Sequence, residues 1–203
     1  MAVKKNKKSH KNLWEDHLTR RAKLEKYPAR SVYKLEEIQQ KFKVMKKNDQ
    51  VLDLGCAPGS WLLYAARQVG SQGRVLGIDL KLVEIQLPDN VVAVKENILN
   101  PDNTSFLDKT SGFNVILSDM APSTTGRKDV DALKSFELCH MALTVAKDLL
   151  VQNGNFVCKI FQGNDFNAFQ KSVKSKFKEC KTFKPDSCRK QSKEIYIIAK
   201  GKK

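Results

Sequence analysis

Residues 53–61 read DLGCAPGSW and have the composition of a loop that could hold a small cofactor. Gly55 and Gly59 remove side chains where a ligand would approach the backbone, and Pro58 restricts the loop before a helix begins near residue 60. The spacing G-x-x-x-G differs from the G-x-G-x-x-G of dinucleotide sites and from the phosphate-binding G-x-x-x-x-G-K-[ST] loop. The loop therefore favours a nucleoside cofactor, with a purely structural tight turn as the alternative.

Three residues in or near this loop bear on the same prediction. Asp79 ends the next predicted strand, where a carboxylate can accept hydrogen bonds from both hydroxyls of a ribose. Trp61 is ambiguous, because a tryptophan at a helix start is more often a core residue, although its indole could pack against the cofactor. Cys56 is interpreted as a packed small side chain, because the sequence places no base beside it to form a thiolate.

A lysine inside an apolar segment marks a second candidate site. Lys159 lies in CKIFQG, residues 158–163, and a buried ammonium needs a carboxylate partner to offset its lost hydration. Asp119, in SDMAP at 118–122, is the nearest acid by topology, and Glu194 adds a carboxylate if the last strand lies beside that of Lys159. The pattern is compatible with a catalytic pair or with an ion pair that only joins two strands.

The elements that must position these groups are short apolar runs rich in β-branched residues, alternating after residue 48 with segments of helical period. Strands are expected at 51–54, 74–79, 91–94, 113–118, 156–161, 181–184 and 194–200, and helices at 60–69, 133–151 and 165–177. The alternation predicts an α/β fold with a parallel sheet and helices on both faces, because parallel neighbours require crossover connections. The last two strands predict an antiparallel pair.

Two further helices are expected ahead of the sheet. Apolar residues at helical spacing predict the first at 13–26, and it ends at Tyr27-Pro28. Ser31 is the predicted N-cap of the second, whose apolar face starts at Val32 and whose first turn contains Lys34.

The net charge of +15 on 203 residues predicts a polyanionic partner, either nucleic acid or an anionic membrane surface. A membrane-surface protein ranks lowest, because no basic amphipathic helix of sufficient length is evident. Basic residues are concentrated near the N-terminus, where a solubilising tail is the alternative interpretation. The residues predicted to contact nucleic acid are Lys4, Lys5, Lys7, Lys8, Lys11, Arg20, Arg21 and Arg30.

Length and composition indicate one domain at 12–203 after a flexible basic arm at 1–11. The five cysteines form no CxxC pair and are odd in number, so neither a disulfide framework nor a metal site is expected. No apolar stretch is long enough to cross a bilayer and no secretory signal is evident, which favours a cytoplasmic location. A monomer is expected.

Five ordered motifs resemble the FtsJ-type family of ribose 2′-O-methyltransferases, in particular its short bacterial ribosomal-RNA members. They are ARSVYKL at 29–35, the loop at 53–61, SDMAP at 118–122, KIFQG at 159–163 and SKEIY at 192–196. The resemblance covers nearly the whole chain from Arg30 onward. It implies a Rossmann-like class I methyltransferase fold, with a seven-stranded, mostly parallel sheet whose last strand is antiparallel. It also implies S-adenosylmethionine as cofactor and RNA as partner, with residues 12–48 contributing to RNA binding and to the active site.

The resemblance also implies roles for individual residues. The family's Lys-Asp-Lys-Glu tetrad corresponds to Lys34, Asp119, Lys159 and Glu194. Family cofactor contacts correspond to Gly59, Trp61, Asp79 and Asp119, beside Gly55 and Pro58 of the loop. Where family members carry an acid that touches the adenine, this chain has Asn97, whose amide can still accept or donate a hydrogen bond.

The expected reaction is methyl transfer to a ribose 2′-hydroxyl of RNA, most specifically at a uridine of large-subunit ribosomal RNA. Lys159 is the expected general base, with Asp119 orienting it, while Lys34 stabilises the alkoxide and Glu194 holds a lysine or the ribose. Transfer RNA, an mRNA cap, or a non-catalytic role in RNA or ribosome binding are the alternatives. An exocyclic-amine methyltransferase is disfavoured, because its [DNS]-P-P-[YF] turn is replaced by DMAP at 119–122.

Overall fold

The structure is a computed structural model that describes residues 17–98, 112–123, 125–189 and 191–203. Within these ranges the helices are α1 (His17–Leu24), α2 (Val32–Phe42), α3 (Ser60–Val69), α4 (Lys128–Leu149) and α5 (Phe166–Lys176). The strands are β1 (Gln50–Leu54), β2 (Arg74–Asp79), β3 (Val91–Lys95), β4 (Phe113–Ser118), β5 (Leu150–Phe161), β6 (Phe177–Phe183) and β7 (Glu194–Lys202). The predicted arm at 1–11 and the start of the predicted 13–26 helix lie outside the described residues.

One sheet contains all seven of these strands, in the order β3-β2-β1-β4-β5-β7-β6. The first five in that order are parallel neighbours, whereas β7 runs antiparallel to both β5 and β6. The chain leaves β1 toward one edge and later enters β4 on the other side of β1. The carboxyl ends of β1 and β4 therefore form the switch point where open α/β sheets bind ligands. The predicted fold class is confirmed.

Several predicted boundaries were wrong, although β2, β4 and α3 have the predicted bounds. α4 begins at Lys128 rather than 133, and β5 begins at Leu150 rather than 156. β6 begins at Phe177, which the helical pattern had placed at the end of α5. The Phe177 ring stacks on Phe156 of β5 with centroids 6.0 Å apart, so packing on the sheet overrides the local helical period there.

Different helices cover the two faces of the sheet. Val51 packs in a cluster with residues of α2 and α3, whereas its neighbour Leu52 packs in a second cluster with residues of α4 and α5. Because side chains alternate along a strand, Asp53 lies on the face of Val51, and Lys159 lies on the same face of β5. Tyr196 of β7 belongs to that first cluster as well. Polar groups of three strands therefore share one face with α2.

Contacts near the start of α2 join this helix to α1 and α3. Arg21 of α1 lies 3.5 Å from the Glu36 carboxylate of α2, and its guanidinium lies 4.3 Å from the centre of the Tyr33 ring. Ser31 occupies the predicted N-cap position of α2, but its hydroxyl makes no capping hydrogen bond. Its backbone carbonyl instead accepts the indole N–H of Trp61 at 2.8 Å, which joins the start of α2 to α3.

Across the described ranges, none of the helices has both the length and the apolar composition needed to span a membrane.

Candidate active site

A cavity of about 350 Å³ lies at the carboxyl ends of β1, β2 and β4. Four predicted cofactor residues line it, namely Gly55, Asp79, Asn97 and Asp119. Apolar side chains that sequence reasoning did not single out also line it: Leu80, Ile98, Met120 and Leu138. Leu80, Ile98 and Met120 each follow a predicted cofactor residue directly in the chain. That adjacency was the only feature of the sequence that could have indicated them. Polar groups beside an apolar wall suit a ligand that has both hydroxyls and a flat apolar part.

Asp79 organises the cofactor loop. One of its carboxylate oxygens accepts the backbone N–H of Ala57 at 2.9 Å, and the other accepts that of Lys81 at 2.8 Å. Each oxygen has a second lone pair. Asp79 can therefore hold the loop and still accept hydrogen bonds from the hydroxyls of a ribose.

Gly55 and Gly59 are required by the packing of the protein itself. Their φ angles are +80° and +107°, which favour glycine. A Cβ on Gly55 would lie 2.8 Å from Cγ of Met120, and one on Gly59 would lie 2.7 Å from Cδ1 of Ile85. These glycines therefore let the segments after β4 and β2 approach the loop.

Trp61 lies in the core, where it is 3% exposed and its ring centroid is 6.0 Å from that of Tyr196. Its N–H is occupied by the carbonyl of Ser31. The described residues that line the cavity do not include Pro58, Gly59 or Trp61. Contact of these three residues with a cofactor therefore stays a prediction.

The cysteines are free thiols. Cys56 of the cofactor loop is buried, and burial raises the pKa of its thiol, so it packs as a small neutral side chain. In the part of the chain that the structure describes, no group of three or more His, Cys, Asp or Glu side chains could hold a metal ion.

Asp53 is an acid buried without a partner. It is fully buried beneath the cofactor loop, and neither of its carboxylate oxygens has a hydrogen-bond partner among the described residues. Burial raises the pKa of Asp53 well above its ordinary value, and the nearby carboxylates of Asp119 and Asp79 raise it further. The raised pKa favours the protonated, neutral form of Asp53, which is the form that a fully buried carboxyl group without a partner adopts at the lower free energy.

The four residues of the predicted tetrad form two ion pairs. Nζ of Lys159 lies 2.9 Å from Oδ1 of Asp119, and Nζ of Lys34 lies 2.9 Å from Oε2 of Glu194. Each of the four side chains is at most 17% exposed. The β5–β7 register sets Phe161 opposite Glu194, so Glu194 lies two residues beyond the level of Lys159.

Asp119 fixes the amine of Lys159 through two acceptors. Nζ donates to the backbone carbonyl of Asp119 at 2.5 Å as well as to its carboxylate. The same Oδ1 accepts the hydroxyl of buried Tyr196 at 2.7 Å. These contacts use two of the three substituent positions on the tetrahedral nitrogen, which leaves one for a proton or a lone pair. Tyr196 thus holds the Asp119 carboxylate in place. Its signal in the sequence was its position two residues after Glu194, because residues two apart on a strand lie on the same face.

Lys34 is held as a cation. Burial alone would lower the pKa of Lys34, but the carboxylates of Asp119 and Glu194 outweigh burial, and its pKa is raised above the ordinary value. A lysine that keeps its proton is suited to stabilise a developing negative charge. The two lysines therefore differ in their partners, since Lys34 is paired with Glu194 and Lys159 with Asp119.

The segment after Asp119 is held in place by Asp131, which sequence reasoning did not single out. Asp131 lies in the first turn of α4, and its carboxylate accepts the backbone N–H of Thr125 at 2.7 Å and the Thr125 hydroxyl at 2.9 Å. These hydrogen bonds, the backbone one first, lower the pKa of Asp131. The cavity wall formed by Met120 and Ala121 is thereby tied to α4.

The residues predicted to contact nucleic acid are only partly described. Arg20 is exposed on α1, whereas Arg21 is paired with Glu25 at 2.7 Å in addition to its contacts with α2. Arg30 donates from Nη2 to the backbone carbonyl of Ser187 at 2.5 Å. The remaining predicted contacts, Lys4, Lys5, Lys7, Lys8 and Lys11, lie outside the described residues.

Comparison with known proteins agrees with this site. A family model described as FtsJ-like methyltransferase matches residues 27–202. A protein of Desulforapulum autotrophicum named ribosomal RNA large subunit methyltransferase E is 57% identical over 196 residues, which cover 97% of each chain. A protein of the same name from Desulfatibacillum aliphaticivorans is 52% identical and covers 98% of this chain and 96% of its own.

Among solved structures, a Plasmodium falciparum protein assigned as a ribosomal RNA methyltransferase is similar, with a TM-score of 0.73 and 29% sequence identity. The match covers 87% of this chain and 98% of that one. Because the family model spans the cofactor loop, all four tetrad positions and the whole sheet, the chain belongs to the FtsJ-like methyltransferase family.

Proposed function

We propose that the protein transfers a methyl group from S-adenosylmethionine to a ribose 2′-hydroxyl of RNA, and that the RNA is large-subunit ribosomal RNA. The observation that carries the proposal is the position of Asp119. Asp119 lines the cofactor cavity and also holds the amine of Lys159 through two hydrogen-bond acceptors. Asp119 thus connects the cavity that would hold the methyl donor with the amine of Lys159, which can take a proton.

The acidic cavity supports a cationic cofactor. S-adenosylmethionine supplies, when bound, an electrophilic methyl group on a sulfonium, and it also carries an ammonium. The described acids that line the cavity, Asp79, Glu96 and Asp119, would stabilise these cations, and they outnumber the lysine that lines it, Lys81. Asp79 would hold the ribose, and Asn97 with its apolar neighbours would hold the adenine. The donor set of the cavity therefore fits this cofactor.

In this proposal Lys159 is the base. The Lys159 ammonium would first release a proton to solvent. The neutral amine, with two hydrogens directed to Asp119, would then present its lone pair to the 2′-hydroxyl and take its proton as the methyl group is transferred. Lys34, held as a cation by Glu194, stabilises the negative charge that develops on the oxygen. Tyr196 keeps the Asp119 carboxylate in place.

Charge and relatives support RNA as the acceptor. The net charge of +15 suits a polyphosphate backbone, because each neutralised phosphate releases counterions and adds affinity that does not depend on base sequence. The relatives named above match this chain over nearly its full length, and their names specify large-subunit ribosomal RNA. The basic residues at 4–11 would add phosphate contacts.

A methyl-transfer assay with labelled S-adenosylmethionine tests the proposal. The acceptors are in vitro transcribed large-subunit ribosomal RNA, large ribosomal subunits from cells lacking the protein, and transfer RNA. We expect label in a ribosomal acceptor at one nucleotide, found as a linkage that resists alkaline hydrolysis because its 2′-oxygen is methylated. Label on transfer RNA alone would contradict the substrate, and label on a base would contradict the reaction.

A further inference from the structure

Arg30 contacts the loop that carries Arg189, near the Lys34–Glu194 pair. Arg30, in the connection between α1 and α2, donates to the carbonyl of Ser187, and Arg189 follows two residues later in the loop between β6 and β7. Arg189 is exposed and Arg30 is half-buried. Burial lowers the pKa of Arg30, and the positive charge of Arg189 lowers it further. The hydrogen bond from Arg30 to Ser187 therefore places Arg30 two residues along the loop from Arg189.

The loop that carries Arg189 is held on both sides. The carboxylate of Glu37 on α2 accepts the backbone N–H of Asp186 at 2.6 Å and that of Ser187 at 2.9 Å. On the other side, the N–H of Ser192 donates to the carbonyl of Arg189 at 2.9 Å and closes a turn. A ligand that binds Arg189 therefore meets a backbone that is already ordered, which reduces the entropy lost on binding.

The same loop borders the tetrad. The N–H of Gln162, at the end of β5, donates to the carbonyl of Lys193 at 3.0 Å, and Lys193 directly precedes Glu194. Burial raises the pKa of the Cys188 thiol to about 12, and the adjacent Glu194 carboxylate adds to this effect. Arg189 therefore follows a residue that packs against the tetrad.

Charge on this surface is mostly positive. Lys184, Arg189 and Lys193 are exposed, and Asp186 is the exposed acid among them. Like charges placed together are unfavourable unless an anion lies between them. A guanidinium presents N–H groups in a planar fork that matches two oxygens of one phosphate.

We propose that Arg30 and Arg189 bind a backbone phosphate beside the methylated ribose, and that Glu37 positions Arg189 for this contact. The inference rests on the proposed function and adds a specific site for the RNA backbone. The Lys159 side chain is only 6% exposed, so the acceptor ribose must enter a recess while a neighbouring phosphate stays outside it. Arg189 is exposed on the loop that borders the tetrad, so it can contact a phosphate that stays outside this recess.

Arg189→Ala tests the site, with Arg74→Ala as the matched control. Arg74 is exposed at the amino end of β2, at the opposite end of the sheet from the tetrad. We expect Arg189→Ala to raise KM for ribosomal RNA about tenfold, the usual effect of losing one hydrogen bond to a charged group. The slope of log affinity against log salt should fall by about 1. kcat at saturating RNA and S-adenosylmethionine affinity should stay within about twofold of the wild type.

Two further variants separate charge from geometry. Arg30→Lys keeps the charge but loses the planar fork, so it should raise KM while leaving the salt slope near the wild-type value. Glu37→Ala should raise KM because it frees the Arg189 loop. If Arg189→Ala matches Arg74→Ala in both KM and salt slope while the wild type methylates RNA, the phosphate site is wrong and the proposed function stands. If the wild type methylates no RNA, the proposed function itself fails.

Discussion

Carboxyl groups have opposite environments beside the cofactor cavity and in the tetrad. Around the cavity, Asp53 is fully buried, lacks a partner among the described residues and lies near two other acids. In the tetrad, Asp119 and Glu194 are each within 2.9 Å of a lysine Nζ. The difference indicates that the acids of the tetrad are matched by lysines before any ligand binds, whereas Asp53, which no cation neutralises, favours its protonated form.

This contrast has a physical basis in what each region must do. A base and an oxyanion stabiliser must keep a fixed geometry through the reaction, and paired, hydrogen-bonded charges provide it. A binding cavity gains affinity when the ligand relieves an unfavourable interaction of the free protein. Asp119 belongs to both regions, because it lines the cavity and holds Lys159.

The largest expected effect comes from removing the base. Lys159→Ala should lower the rate of methyl transfer by about 10²- to 10⁴-fold, the usual contribution of general-base catalysis, with S-adenosylmethionine affinity changed only slightly. Single-turnover assays and calorimetric titration measure the two quantities. Lys171→Ala, at an exposed lysine of α5, is the control. Near-normal turnover of Lys159→Ala would show that another group accepts the proton.

Breaking the second ion pair should cost stability. Glu194→Gln leaves the charge of Lys34 buried without its carboxylate, which should lower the free energy of unfolding by about 3 kcal/mol at pH 7. The pKa of Lys34 is raised in the folded state, so its stabilising contribution is complete below the unfolded value of about 10.4 and is lost as pH rises through the folded value. The gap between wild type and variant should therefore narrow above about pH 10.4.

Denaturant unfolding of Glu194→Gln at several pH values provides this measurement, with Glu179→Gln at an exposed acid of β6 as the control. Equal stability of Glu194→Gln and the control at pH 7 would mean that the Lys34–Glu194 pair contributes nothing to folding.

Substitution of Asp53, the acid without a partner among the described residues, should increase stability rather than lower it. Asp53→Asn replaces a buried acid, whose ionisation burial opposes, by a neutral side chain of similar shape, so the free protein should gain about 1 to 3 kcal/mol of stability at pH 8. In a domain of this size that gain corresponds to roughly 3 to 10 °C in Tm.

The pH dependence of Asp53 follows from its raised pKa. The folded state binds the proton more tightly than the unfolded state, so wild-type stability falls as pH rises above the unfolded value of about 3.9. The advantage of Asp53→Asn should therefore grow with pH in thermal melts without cofactor, and Asp89→Asn at an exposed acid should show no such trend. If Asp53→Asn is less stable than the wild type at pH 8, the contrast between the two regions is wrong.

Much of the fold followed from local pattern. Apolar runs of β-branched residues predicted β2 and β4 with their observed bounds, because buried parallel strands leave a strong and local signal. Phe177 shows where this reasoning fails: its helical spacing was correct locally, but the stack on Phe156 made it the first residue of β6. Contacts between distant strands override propensity, and propensity cannot report them.

The residue types of the site were determined by the sequence, since a glycine-bearing loop, Lys159 in an apolar strand and an acid at the end of β2 are visible without coordinates. Tertiary structure alone decided how they combine. It paired Lys34 with Glu194 across 160 positions of sequence, and it brought Tyr196 to Asp119. It also buried Trp61 in the core, and it left Asp53 without a hydrogen-bond partner among the described residues. The physical reason is that burial, hydrogen-bond partners and charge balance arise from groups that meet only when the sheet is assembled.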